Sequence, residues 1–104
     1  MKTGTSSTGA VETESIVVEF YGIPRLRAGI ERVELTAPAE GLLLGEVLSR
    51  LAERFPIFGS ECVNEHALAK SITANINGTN FTRDVKQRIL PGQVIILLSA
   101  DAGG

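Results

Sequence analysis

The chain has 104 residues, with ten basic and twelve acidic side chains and a formal net charge of −2. That length makes one domain, and the balanced charge leaves no electrostatic footprint for nucleic acid or an anionic membrane. A single cysteine, Cys62, excludes an internal disulfide and a paired-cysteine metal site, and a single histidine, His66, excludes a multi-histidine site built from this chain alone.

Hydrophobic residues make up 43% of the chain, enough for one core. The five aromatics, Phe20, Tyr21, Phe55, Phe58 and Phe81, form no basic-aromatic stripe for stacking bases. There is no apolar leader and no run of about 18 apolar residues, so the expected location is the cytoplasm.

Residues 1–15 are rich in Thr, Ser, Gly and Glu without apolar periodicity, and read as a disordered lead-in. Ile16 to Tyr21 alternates, with Ile16, Val18 and Phe20 on one face, as in a half-buried strand. Gly22-Ile23-Pro24 interrupts it, and Arg25 to Gly29 reads as a short connection. Glu31 to Ala37 alternates again with Val33 and Leu35 inward, which completes an antiparallel hairpin.

The period then changes. Leu44, Val47, Leu48, Leu51 and Phe55 share one face of an α-helix, which Pro56 ends. Glu46, Arg50 and Glu53 are spaced for surface ion pairs. Residues 57–73 are irregular, with a short helix expected within Glu61 to Ala69. Asn77-Gly78 is a strong signal for a type I′ hairpin turn between Ala74–Ile76 and Thr79–Phe81, because both central residues need positive φ. Val85, Ile89 and Leu90 anchor a loop, and Pro91-Gly92 turns into the last strand.

Val94 to Leu98 is apolar on both faces, which suits a central strand. The first and last strands are the most apolar, so they should lie side by side in parallel, with the helix as their connection. The expected architecture is α+β: a mixed sheet with one main helix packed across one face, over residues 16–98.

Ser99-Ala100-Asp101-Ala102-Gly103-Gly104 closes the sequence. Six extended residues reach at most about 20 Å, and Gly-Gly has no Cβ to obstruct a narrow channel. Such a segment could thread into a partner, but by composition alone it reads as a frayed end.

The strand and helix order, Asn75-Ile76-Asn77-Gly78, the turn Leu90-Pro91-Gly92-Gln93-Val94 and the final Gly103-Gly104 together resemble the ubiquitin-like sulfur carriers of β-grasp fold. That family includes the small subunit of molybdopterin synthase and the thiamine-pathway carrier. The resemblance covers about residues 16–104, and Phe20-Tyr21-Gly22, Leu26 and Ala28-Gly29 fit the molybdopterin type.

The resemblance implies a non-catalytic carrier that binds no cofactor. A partner activating enzyme would use ATP to adenylate the Gly104 carboxylate, sulfur would replace AMP, and a biosynthetic enzyme would accept the sulfur. Gly103, Ala102 and Asp101 would thread the partner's channel. Family register points Ile95 and Leu97 inward and Ile96 and Leu98 outward, as a partner docking surface or as residues covered by segment 57–73. Asp101 departs from the apolar or small residues usual there, and suggests a specialised partner.

Two other readings remain: a ubiquitin-like modifier joined through Gly104 to lysines of target proteins, and a binding module with an inert tail. Cys62 and His66 are spaced to share a helix face but lack an orienting group, so Cys62 reads as an ordinary small residue. Asp84 and Glu61 read as surface residues, and Arg25, Arg27, Arg83 and Arg88 as solvated ones.

Overall fold

The computed structural model describes residues 14–100. The first hairpin forms as the alternation predicts. Strand β1 (Glu14–Phe20) pairs antiparallel with β2 (Arg32–Ala37), with Ile16 opposite Leu35 and Val18 opposite Val33, and all four are buried. The pairing includes Glu14 and Ser15, opposite Ala37 and Thr36, two residues ahead of where the apolar alternation begins.

The connection between these strands is a helix and not an extended loop. Helix α1 (Gly22–Ala28) holds Pro24 against the core, and Gly29 closes it in the left-handed region (φ 76°) with its N–H on the Arg25 carbonyl. Seven residues carry too little periodicity to show a helix in the sequence, and Gly22-Ile23-Pro24 looks like a break. Proline in the first turn is compatible with a helix, because the N–H it lacks would have no intrahelical partner there.

Strand β3 (Leu42–Leu43) leads into the main helix, α2 (Leu44–Arg54), which buries Leu44, Val47, Leu48 and Leu51 as expected. Glu46 reaches back to accept the Leu43 N–H at 2.7 Å, satisfying one donor at the helix start. Arg50 donates to the Thr36 carbonyl at 2.8 Å. The expected ion pairs among Glu46, Arg50 and Glu53 do not form, since the first two side chains face backbone partners.

Pro56 does end α2, and it also begins α3 (Pro56–Cys62). The expected helix within Glu61 to Ala69 is absent. In its place β4 (Val63–Asn64) and β5 (Ala67–Leu68) form a small hairpin. Its turn residues, Glu65 and His66, both have positive φ (53° and 69°). Neither residue type advertises that conformation, so the turn left no mark in the sequence.

Strand β6 (Ile72–Ile76) turns through Asn77 (φ 56°) and Gly78 (φ 76°), both positive as the dipeptide predicts, but β7 (Asn80–Thr82) starts one residue later than expected, with Ile76 opposite Asn80 across a three-residue connection. Strand β8 (Arg88–Ile89) pairs with β3 and buries Ile89, while Leu90 is exposed. The last strand, β9 (Val94–Ser99), lies at the centre of a five-stranded sheet of order β2-β1-β9-β6-β7. It runs parallel to β1, with Val94 opposite Val17 and Leu97 opposite Phe20, and antiparallel to β6.

The core fills the space between this sheet and helices α2 and α3. Phe20 from β1 meets Phe55 and Phe58 edge-on, with ring centroids 5.8 and 5.5 Å apart. Each such pair adds about 0.5–1.5 kcal/mol beyond its burial. The result is the α+β, ubiquitin-like β-grasp arrangement, with one main helix across one face and two short helices beside it.

Candidate functional site

The end of β9 is where the sheet releases the chain. Ser99 is still paired, opposite Ile72, and Ala100 extends the ladder by one bond, its N–H meeting the Ser71 carbonyl at 2.6 Å. On the other side, the Tyr21 N–H donates to the Leu97 carbonyl at 2.9 Å, and the Ile23 N–H donates to Ser99 Oγ at 3.3 Å. Tyr21 precedes α1 in extended geometry and supplies no side-chain cap, so the serine of a distant strand takes that place. Gly22 permits the approach: its φ is +59°, and a Cβ there would stand 3.2 Å from Ser99 Oγ.

The last paired residues are therefore fixed from both sides. Asp101, Ala102, Gly103 and Gly104 lie outside the described residues, as do residues 1–13.

The sheet face opposite the helices carries the two residues proposed for docking. Alternation along β9 buries Ile95 and Leu97 completely and leaves Ile96 and Leu98 half-buried on the other face. The register sets a row across this face: Arg32, Glu19, Ile96, Asn75 and Phe81. Leu98 is beside Thr73, and Val94 is beside Val17. Phe81 is 65% exposed. Segment 57–73 sends Phe58, Cys62 and Leu68 into the core, and its last residue, Thr73, lies opposite Leu98.

Asn75 has no counterpart in the sequence-based expectations. It is only 6% exposed, yet it sits between Ile96 and Phe81 and its Oδ1 has no hydrogen-bond partner. A buried unpaired acceptor opposes folding by about 1–3 kcal/mol. A period-2 pattern flags apolar faces, so a polar residue on the outward side of a strand looked unremarkable.

Cys62 and His66 do not form a pair. Cys62 ends α3 fully buried, and burial pushes its thiol above the ordinary range. His66 is in the β4–β5 turn, where its Nδ1 lies 2.6 Å from Ser49 Oγ on α2. Tyr21 is displaced upward too, mainly through its hydroxyl bond to Glu19 at 3.2 Å, which favours the protonated phenol.

The four arginines read as solvated are all engaged. Arg25 pairs with Glu31, Arg27 pairs with Glu61 across α1 and α3 at 3.0 Å, Arg88 donates to the Glu40 carbonyl, and Arg83 donates to three carbonyls. Among the described residues no cluster of three or more metal-ligating side chains exists, and no helix is long and apolar enough to cross a membrane.

A mixed five-stranded sheet with β1 and β9 parallel at its centre and one main helix across one face is the architecture of a ubiquitin-like β-grasp protein. No family model matches the sequence, and no curated protein matches it. Solved structures do. Small archaeal modifier protein 1 from Haloferax volcanii superposes with a TM-score of 0.71 at 19% identity, over 86% of this chain and 99% of that one. A chain of the BexX/CysO complex from Amycolatopsis orientalis gives 0.65 at 24% identity, over 86% and 99%. A protein assigned as subunit 1 of a molybdopterin converting factor, from Pyrococcus furiosus, gives 0.65 at 18% identity, over 83% and 97%. The fold is shared with all three.

Proposed function

We propose that the chain is a ubiquitin-like sulfur carrier whose working atom is at Gly104. A Gly104 carboxylate oxygen attacks the α-phosphorus of ATP in a partner activating enzyme, and pyrophosphate leaves. A sulfur donor then displaces AMP from the acyl adenylate, leaving a terminal thiocarboxylate. A biosynthetic enzyme accepts that sulfur for a cofactor or metabolite, with the molybdopterin type as the leading product. The carrier contributes no acid, base or metal, because presentation is its entire role.

The observation that supports this reading is the end of β9, held at Ser99 and Ala100 by backbone and side-chain hydrogen bonds immediately before the sequence runs on to Gly103-Gly104. Ile96 and Leu98, with Phe81 and Val17, provide an apolar face for docking, since contiguous exposed apolar surface marks interaction sites. Gly103 lets the arm pass a constriction sized for backbone, and Asp101 adds a charge that selects the partner.

The test is incubation of the chain with ATP, a sulfur donor and the activating enzyme from the same cell, followed by intact mass measurement. An oxygen-to-sulfur mass increase is expected, absent in Gly104→Ala and after deletion of Gly103 and Gly104. Thiocarboxylation of Gly104→Ala at the normal rate overturns the channel argument.

The likeness to an archaeal modifier supports a second reading, in which the activated Gly104 is joined to lysines of target proteins. Isopeptide-linked adducts recovered from cells, in place of a thiocarboxylate, establish that reading.

A further inference from the structure

The root of the arm rests on a turn, and the turn is stapled by one guanidinium. Ser71, whose carbonyl accepts the Ala100 N–H at 2.6 Å, is in the tight connection from β5 to β6. That connection closes with the Ile72 N–H on the Ala69 carbonyl at 3.0 Å. Arg83, the residue after β7, donates to the carbonyls of Ile72, of Leu68 at 3.2 Å and of Ala69 at 3.3 Å. One planar fork thus holds both ends of the turn, a geometry that lysine cannot reproduce. Among the described residues no carboxylate pairs with Arg83, and its guanidinium faces the backbone carbonyls converging on the turn.

We propose that Arg83 is a positioning residue for the reactive arm, acting through Ser71 on Ala100. This rests on the sulfur-carrier reading above. Beyond Ala100 the sequence continues through Asp101-Ala102-Gly103-Gly104, four residues that span at most about 13–14 Å when extended. Loosening the turn removes the Ala100 bond and lets the end of β9 fray, so the arm lengthens and its root wanders. The effective concentration of Gly104 at a docked partner's active centre falls as the tether to it lengthens. The Ser99 hydroxyl holds the same strand end from the α1 side, so the two contacts fix the root in direction as well as position.

The test uses the full chain with Arg83→Gln and Arg83→Lys. In the free protein, amide hydrogen exchange at Ala100 should accelerate roughly tenfold in Arg83→Gln while core amides such as Leu97 keep their protection. With the activating enzyme, kcat/KM for the carrier should fall about threefold or more, because the arm of a docked carrier reaches the active centre less often. Arg83→Lys should fall between wild type and Arg83→Gln.

Unchanged Ala100 exchange overturns the staple. Faster exchange with an unaltered kcat/KM overturns the positioning role. Should Arg83→Gln fail to fold, Arg83→Lys carries both measurements alone. Failure of the sulfur-carrier reading is separately visible, as a wild-type chain that is never adenylated, and the exchange measurement stands without it.

Discussion

Ser99 Oγ accepts the Ile23 N–H at 3.3 Å, so the last residue of the central strand caps a helix through a residue 76 positions earlier. The bond crosses from one end of the chain to the other and closes the sheet around its release point. Capping side chains contribute about 0.5–2 kcal/mol. The separation here is long and α1 spans only seven residues, which puts Ser99→Ala near the low end. Urea unfolding should show a lower midpoint with an unchanged slope, since the surface exposed on unfolding is the same.

Asn75 gives a substitution that should stabilise. Its Oδ1 is buried without a partner beside Ile96 and Phe81, and Asn75→Leu replaces it with a side chain of similar size. A gain of about 1 kcal/mol is expected from removing the unpaired acceptor, read as a higher urea midpoint. If this face docks the activating enzyme, the same variant should change KM for the carrier, in a direction opposed to or independent of the stability gain. A loss of stability would show that the Asn75 amide is satisfied in solution.

Gly41 cannot tolerate a side chain. Its φ is +81°, and a Cβ would stand 2.1 Å from the Ile89 carbonyl oxygen and 3.1 Å from the Leu90 Cα. Both obstacles are backbone of the β8 segment, so neither can rotate away. Left-handed strain of about 1–3 kcal/mol adds to overpacking of about 1–3 kcal/mol. Gly41→Ala should therefore lose roughly 2–6 kcal/mol, and thermal unfolding should show a depressed midpoint or no folded state. Gly78 has a similar φ (+76°) but no atom within 4 Å of a built Cβ, so Gly78→Ala isolates the strain alone and should cost much less.

Cys62 tests burial through pH. Desolvation raises its thiol above the ordinary value of 9.0, with Arg27 opposing and Glu61 assisting. The folded state therefore holds the proton where the unfolded chain has released it. The associated stability is complete below pH 9.0, the unfolded value, and is lost as pH rises through the folded value. Iodoacetamide at neutral pH should leave the folded protein unmodified over a period that fully alkylates it in denaturant. Rapid native alkylation would contradict the burial. Cys62→Ala should flatten the alkaline decline.

Much of the fold was legible in the residues. Period-2 alternation over β1 and β2, the switch to period 3.6 across Leu44 to Leu51, Asn77-Gly78 and the doubly apolar β9 all report local conformation or burial directly. The placement of β1 and β9 side by side followed from the same patterns. What stayed hidden was short or strained. Helix α1 is too brief for a period, α3 begins at the same proline that ends α2, and the Glu65-His66 turn uses residues that do not advertise positive φ.

The site divides in the same way. The sequence by itself determined that Ile96 and Leu98 alternate against Ile95 and Leu97, and that the chain as given closes on Gly103-Gly104, because alternation and residue order are properties of one segment. Only the tertiary structure decided what holds the root of that arm. Ser99 on Ile23, Ala100 on Ser71, and Arg83 on Leu68, Ala69 and Ile72 join residues far apart along the chain. Serine, alanine and arginine acquire these roles by position. The hydrogen bonds that fix the end of β9 exist only once four separate segments have been brought together.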